Sequence, residues 1–550
     1  MGKGKSWLPH LENSIPIEAR GYSVSMYSIA LEGWRRGLTL KFINKNRRKS
    51  EIYYSLAYNG REHLFTVSRG DKVSDEALEI CRNKHLTKKY LKKAGIPTPE
   101  GEVFKKNIPD NEIINYANTL EYPLVIKPLE GTGGNGVITN IKNVQEFKDA
   151  LNYVRYDLNQ PDVIVEKHFD GRGYRVYVIG DKVIGAFDRI PANVIGDGKN
   201  TIKKLLKRKI EERDKNPALY KRPIKIDKEM HTILHSQGYT LDSVPPEGTR
   251  VMLKTKNNVS SGGDSIDVTD KVTMEVKDIA VRAVKAIPNM EQCGLDLIVD
   301  EENNTAVVLE LNSMPSIRNH LFPNEGRARD IPKAIIDYYF PETSSDIYRD
   351  KPLFYFDIQC IFNTFQNGLA KEITVPNAPL GDISATRYVV SGEFKGKKYE
   401  YWLRRRAKSL KLHGYAKRLE NNKVSVVVSG PTQSIRQFDE IIKNENPENV
   451  KITKVVEKSR KSPVKIGFEI ISNVSEEEIK DGYFPVWLKD PRPKTKKRKS
   501  KRNKKLRQER DLYKKKYEKI VNSRSWRITK PIRMVSRVLK RILKLANKSK

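Results

Sequence analysis

Leu309-Glu310-Leu311-Asn312 ends the second of two apolar segments whose first member is Gly294-Leu295-Asp296-Leu297-Ile298-Val299-Asp300. Between them, Glu301-Glu302-Asn303-Asn304 has the composition of a turn. The pair is predicted to fold as a hairpin that gathers Asp296, Glu310 and Asn312 at one end. Glu310 and Asn312 are two positions apart and share a strand face. Two carboxylates and a carboxamide form a hard, all-oxygen donor set of the kind Mg²⁺ takes when it also bridges nucleotide phosphates. Alone, an acidic pair on a hairpin reads more often as a solvated surface, so the rest of the chain has to decide.

Upstream, Tyr122-Pro123-Leu124-Val125-Ile126-Lys127-Pro128 reads as a strand ending in a lysine, followed by Gly131-Thr132-Gly133-Gly134-Asn135-Gly136. Glycines let backbone N–H groups approach phosphate oxygens with no Cβ in the way, and Lys127 adds a point charge. A plain glycine hairpin is the competing reading of this loop. No Gly-Lys-Ser/Thr closes it, so it is not a Walker loop. Gly4-Lys5-Ser6 lacks the first glycine of that motif and a preceding strand.

In order along the chain come Asn83-Lys84, Gly95-Ile96-Pro97-Thr98-Pro99, the Lys127 strand with its glycine loop, Val165-Glu166-Lys167, Tyr174-Arg175-Val176 and Arg189 to Gly198. Arg250 to Lys254, Asn258 to Gly263, the Asp296/Glu310/Asn312 trio and Pro315 to His320 follow. From about residue 20 to 342 this series resembles the ATP-grasp ligases, and within them the ATP-grasp module of cyanophycin synthetases and bifunctional glutathione synthetases. The resemblance implies that Lys84 and Lys127 contact ATP phosphates while Gly131, Gly133, Gly134 and Gly136 close over them. It implies that the Val163–Glu166 strand edges the adenine, with the backbone of Lys167 and His168 reading the ring and Glu166 the amino group. Arg175, Arg189 and Arg250 would stabilise an acyl phosphate or a substrate carboxylate. Asp296, Glu310 and Asn312 would hold Mg²⁺, with two ions possible, and Arg318 and His320 would line the acceptor pocket.

The residue types suit that chemistry. Amide formation from an unactivated carboxylate is uphill in water, so the carboxylate is first phosphorylated, and an amine then displaces phosphate. Such catalysis is mostly positioning and charge neutralisation. A chain rich in Lys, Arg, Asp and Glu with no Ser/His/Asp or Cys/His set meets that need. Its eight histidines are scattered along the chain, and a lone histidine such as His168 or His320 is more often structural. Two departures stand out. Related modules carry an acidic residue, suited to the ribose hydroxyls, just before the Tyr-Arg, where this chain has Gly173, and Asp170 is not at the spacing to replace it. The glycine loop has Asn135 where a basic residue is common. Weaker nucleotide affinity is the expected consequence.

At 550 residues the chain is too long for one core. Cys81, Cys293 and Cys360 are widely spaced and odd in number, so no disulfide framework and a reducing compartment are expected. No apolar run of about 18 residues occurs, the first residues lack a signal-peptide core, and the loose match of Met1-Gly2 to a myristoylation pattern reads as coincidence. Of the net +36, a surplus of 23 (26 basic against 3 acidic residues) lies in 491–550. The basic signal therefore belongs mainly to the tail and does not mark the core as a nucleic-acid binder.

From about Ala385 the pattern changes to strand–helix–strand–strand–helix–strand, the ferredoxin-like order. Its elements are Arg387 to Gly396, Trp402 to Leu410, Leu412 to Lys417, Lys423 to Pro431 and Ser434 to Lys443. Residues 386–470 resemble acylphosphatase, whose loop-end arginine holds the acyl phosphate and whose asparagine eighteen residues on orients water. Glu400 and Arg418 stand at those positions here, which implies an inactive domain: a carboxylate repels the phosphate it would have to hold. The stretch 352–379, with Phe354-Tyr355-Phe356-Asp357-Ile358, is predicted to be strand-rich.

Lys494 to Lys505 is a basic run, and Leu506, Tyr513 and Ile520 form a short heptad trace. Asn522 to Arg533 resembles a tail found on bacterial glycosyltransferases that build surface polysaccharides. After Pro531, Ile532, Val535, Leu539, Ile542 and Leu543 share a helical face surrounded by Arg533, Arg537, Lys540, Arg541 and Lys544. That pattern suits an anionic membrane surface.

The expected fold class is α/β (α+β): an ATP-grasp fold, a ferredoxin-like acylphosphatase-type domain and a basic helical tail. The expected divisions are 1–83 before the ATP-grasp domain, 84–342 the domain itself, 343–385 a linker, 386–470 the acylphosphatase-like unit and 471–550 the tail. The expected activity is an ATP- and Mg²⁺-dependent, ADP-forming carboxylate–amine ligase. It would act on small-molecule carboxylate and amine substrates of a cell-envelope or polysaccharide precursor, cytoplasmic and peripheral on the inner membrane face. Polysaccharide-assembly glycosyltransferases are possible partners and nucleic acid is not expected. The rival is a non-catalytic nucleotide-binding scaffold for envelope polymer assembly.

Overall fold

The computed structural model describes residues 6–46, 51–129, 136–344, 354–419, 422–448 and 450–471. Gly131, Gly133, Gly134 and the whole basic tail lie outside them.

The turn at Glu301–Asn304, with Asn304 in the left-handed region (φ 52°), folds Gln292–Asp300 back against Thr305–Asn312 as an antiparallel pair. These two strands end a five-stranded sheet in the order Asp264–Asp267, Lys182–Ile190, Arg172–Ile179, Gln292–Asp300, Thr305–Asn312. Strand alternation divides its residues. Val176, Val178, Leu295 and Leu297 pack with Val276, Ala280, Ala283 and Val284 of the helix Met274–Lys285, whereas Arg175 and Asp296 point to the opposite face.

A second, four-stranded sheet runs Gly101–Phe104, Val163–Lys167, Leu124–Pro128, Ile138–Ile141. Leu124, Ile126, Val163 and Val165 bury against the helices Asp110–Thr119 and Val144–Asn152. Alternation leaves Lys127, Ile164 and Glu166 for the other face, where they line a cleft.

The helix Val24–Arg35 is buried along its whole length. It lies within a core that includes Phe42, Tyr54, Phe356, Ile361 and Phe365. The segment expected to be a strand-rich linker is corrected here. Ile358–Gln366 is a helix, and Glu372–Thr374 pairs antiparallel with Thr39–Asn46 as an edge of the N-terminal sheet. Its aromatic residues follow a helical stripe that packs inward, so this segment completes the N-terminal core.

The later unit has the sheet order Lys451–Ser459, Ile383–Glu393, Lys423–Pro431, His413–Leu419, Phe468–Ile471. The helices Lys398–Ser409 and Thr432–Asn444 bury Leu403, Ala407 and Phe438 with Val424, Val426 and Val428. This is the expected ferredoxin-like order with a fifth strand added parallel to His413–Leu419. Among the described residues no helix is long and apolar enough to cross a membrane, and Cys81, Cys293 and Cys360 are free.

Candidate active site

Strand register assembles the acidic cluster. Asp296 lies opposite Glu310 on one side and opposite Arg175 on the other, and Gly294 lies opposite Asn312. Asp296, Glu310 and Asn312 therefore share one face, in a row with Arg175. Like charges directly opposite are destabilising, and Asp296 is neutralised from behind. Arg175 contacts both of its oxygens, with Nη2 to Oδ2 at 3.1 Å, and Arg189 Nη1 reaches Oδ2 at 3.3 Å. Arg175 and Arg189, 121 and 107 residues before Asp296 in the chain, thus converge on the carboxylate that the metal-type reading needs.

The donor set was tested against a hard divalent cation. All three groups offer oxygen, and half-buried Asn312 keeps a buried Nδ2 with no hydrogen-bond partner. Among the described residues no three His, Cys, Asp or Glu side chains gather at metal spacing, so a cation here has to use the Asn312 oxygen as a third donor. The residues fit Mg²⁺ in donor type, with Asp296 shared between cation and arginines.

Beside this row lies a cavity of about 380 Å³, lined by Lys84, Lys88, Lys127, Glu166 and Glu310 among others. Asn83 caps the helix Lys84–Lys93 by accepting the Leu86 N–H at 3.0 Å. The cap fixes Lys84 in the first turn and Lys88 one turn on, on the same face. Burial holds the Lys84 ammonium below its ordinary pKa, with Glu310 opposing the shift and Lys127 adding to it. Burial likewise lowers Lys88, with Glu166 opposing. Glu166 accepts from Lys127 Nζ at 2.6 Å and from Lys88 Nζ at 3.3 Å. Five lysines (Lys84, Lys88, Lys89, Lys92 and Lys127) against three glutamates (Glu102, Glu166 and Glu310) leave this lining electropositive and suited to phosphate. Lys88 is the residue that motif reading missed; its signal was the four-residue spacing from Lys84 on a capped helix.

Other expected residues fall elsewhere. Val163–Lys167 is an interior strand of the four-stranded sheet, and Ile164 and Glu166 border the lysine-lined cavity. The N–H groups of Lys167 and His168 donate to Glu100 O at 2.8 Å and Pro123 O at 2.9 Å. The resemblance gives the backbone of Lys167 and His168 to an adenine ring; in the structure these two N–H groups are engaged within the sheet. The His168 ring pairs with exposed Asp170 at 3.1 Å. Arg250, on a separate two-stranded piece, donates to Asn193 Oδ1 at 3.0 Å and approaches Glu325 at 3.9 Å. His320 does not line a pocket as expected. It is 3% exposed, edge-on to Phe187 at 4.7 Å. Burial, followed by the charges of Arg175 and Arg329, pushes it down to about 3, so it is a neutral core residue. Arg318 is buried, and its Nη2 donates to Ser260 Oγ at 3.1 Å. Gly136 has φ 73°, and an added Cβ would meet Pro128 Cγ at 2.8 Å, so the exit of the glycine loop tolerates no side chain.

Residues 81–204 match the family described as RimK-like ATP-grasp domain, and residues 386–470 match acylphosphatase. The cyanophycin synthetase of Trichormus variabilis is 32% identical over 334 residues, which is 58% of this chain and 35% of that protein. The glutathione biosynthesis bifunctional protein GshAB of Desulfotalea psychrophila is 33% identical over 314 residues, 55% of this chain and 39% of that one. A bifunctional glutathione synthetase from Pasteurella multocida, of known structure, is 28% identical over 53% of this chain and 40% of its own, with a TM-score of 0.43. The chain thus spans well under half the length of these relatives. It carries a RimK-like ATP-grasp domain, a class whose ligases use ATP and Mg²⁺, followed by an acylphosphatase-type domain.

Proposed function

We propose that the chain is an ADP-forming carboxylate–amine ligase that makes an amide or peptide bond through an acyl phosphate. The observation that carries this reading is the juxtaposition of the lysine-lined cavity with the Asp296/Glu310/Asn312 row, in a domain whose relatives are named as synthetases. A substrate carboxylate oxygen attacks the γ-phosphorus of ATP and ADP leaves. An amine nitrogen then attacks the acyl carbon, phosphate leaves with the bonding pair, and the nitrogen loses a proton. Lys84, Lys88 and Lys127 hold the transferring phosphates. Arg175 and Arg189 stabilise charge at the acyl phosphate, and Arg250 and Arg318 serve the substrate side. Asp296, Glu310 and Asn312 would hold Mg²⁺, which would supply neutralising charge for phosphate oxygens.

The finer reading is that the carboxylate or amine belongs to an envelope or polysaccharide precursor, handled in the cytoplasm at the inner face of the membrane. The basic amphipathic tail supports it. The test is to incubate full-length protein with ATP, Mg²⁺ and pools of carboxylates and amines and to measure ADP. ADP release that requires both a carboxylate and an amine is expected. ADP release indifferent to every amine would overturn the ligase reading.

A further inference from the structure

A second and larger cavity, about 890 Å³, has Tyr22, Arg222 and Ser260 in its wall. Arg222 is 9% exposed and its Nη2 is buried without a hydrogen-bond partner. Arg318, 6% exposed, donates through Nη2 to Ser260, and its Nε is buried and unpartnered. The ring of Tyr22 lies 4.0 Å from the Arg222 guanidinium and 5.2 Å from that of Arg318, so one aromatic face gathers both cations. Among the described residues neither guanidinium is in an ion pair. Asp227 and Glu229, in the same wall, are taken by Lys254, and Glu18 pairs with neither arginine.

Buried charges are ordinarily paired. Here two like charges meet at one ring, Arg222 in the cavity wall and Arg318 behind Ser260 of that wall, and burial followed by Arg222 pulls the Arg318 guanidinium down to about 10. The support around them is rigid. Gly21 N–H donates to Pro217 O at 2.8 Å, Asn216 Oδ1 accepts the Ala218 N–H at 2.8 Å, and Asn216 Nδ2 donates to Phe322 O at 3.0 Å. The loop bearing Arg222, the segment bearing Tyr22 and the short helix beginning at Arg318 are thereby tied together. Arg222 faces the cavity directly, and Arg318 borders it through Ser260.

We propose that Arg222, Arg318, Ser260 and Tyr22 form a receptor for a small dianionic group, a dicarboxylate or a phosphate monoester, on the substrate that the ligase joins. A dianion matches the two guanidiniums that meet at Tyr22, in a wall that also carries Arg20, Lys221 and Lys225, and guanidinium forks suit carboxylate and phosphate oxygens alike. The N-terminal segment, through Tyr22, is on this reading a specificity element for the grasp domain. The inference rests on the ligase reading for the receptor's role, not for its ability to bind.

The test is calorimetric titration of the full-length protein with succinate, inorganic phosphate and acetate, and separately with ATP. Succinate or phosphate should bind the wild type at least tenfold more tightly than acetate does. Binding should weaken at least tenfold in Arg222→Gln and several-fold in Tyr22→Ala, while ATP binding stays unchanged. Tyr22 is 79% exposed, so its removal keeps the test valid even if Arg222→Gln folds poorly. Preference for succinate marks a carboxylate-rich substrate and preference for phosphate a phosphorylated one; either supports the receptor. Failure of both anions to bind the wild type, or equal binding to wild type and variants, overturns it. If the anions bind through Arg222 but no amine-dependent ADP release is ever seen, the receptor stands and the ligase reading falls. Ligase turnover with anion binding untouched in Arg222→Gln sinks the receptor alone.

Discussion

Arg418 closes on Glu400 with a two-pronged grip: Nε donates to Oε1 at 2.8 Å and Nη2 to Oε2 at 2.9 Å. The same guanidinium donates to the carbonyls of Gly396 at 2.7 Å and Phe394 at 3.3 Å. Glu400 is only 2% exposed. The two residues that stand at the acylphosphatase-type catalytic positions therefore satisfy each other, and Arg418 ties down the loop where a phosphate would enter.

Full-length protein is accordingly expected not to hydrolyse benzoyl phosphate. Arg418→Ala should destabilise the domain by about 2–4 kcal/mol, toward the lower part of the range for breaking a buried pair because Arg418 is partly exposed. The double change Glu400→Arg with Arg418→Asn exchanges the stranded carboxylate for an equally unpaired guanidinium and should also melt below the wild type. Thermal unfolding and phosphate release check these points, and hydrolysis by the unaltered chain would refute the inactive reading.

Glu310→Gln removes one charge from the Mg²⁺ set and should lower amine-dependent ADP release at least a hundredfold, with little change in melting temperature. Wild-type turnover in this variant would take Glu310 out of the mechanism.

Lys88→Met should raise the KM for ATP about tenfold while leaving kcat within a few-fold, if Lys88 binds phosphate equally in ground and transition states. A loss confined to kcat would assign it a different part.

Gly173 follows Arg172 on the strand that also presents Arg175. A Cβ added there would meet nothing nearer than Asn257 Nδ2 at 3.8 Å and Ile298 Cδ1 at 4.0 Å. Space for the acidic residue common in related modules is therefore present. Gly173→Asp should lower the KM for ATP several-fold, and an unchanged KM would show that the ribose is bound from elsewhere.

His320 titrates near 6.5 when unfolded and near 3 in the folded chain. Below pH 6.5 the unfolded state therefore takes up a proton that the folded state refuses. Stability should fall as pH drops from 6.5 toward 3, by at most about 1.4 kcal/mol per pH unit from this group. Chemical denaturation of wild type and His320→Gln across pH 7 to 4.5 should show a shallower slope in the variant. Identical slopes would mean that His320 is solvated.

The sequence by itself determined the hairpin at Glu301–Asn304, the metal-type face of Glu310 and Asn312 and the ferredoxin-like order of 386–470. Strand period and turn composition are local properties, and each is written within a few residues. The Arg175–Asp296–Glu310 row was only partly legible: the residue types were visible, but which strands lie next to one another is a matter of sheet order. Tertiary structure alone decided that Ile358–Gln366 caps the N-terminal core, because the same aromatic run satisfies strand and helix patterns until a partner surface selects one. It also turned His320 inward and left Arg222 and Arg318 side by side under Tyr22. Burial and the pairing of charge depend on what else arrives at a point in space, and that is settled by packing between segments far apart in the chain.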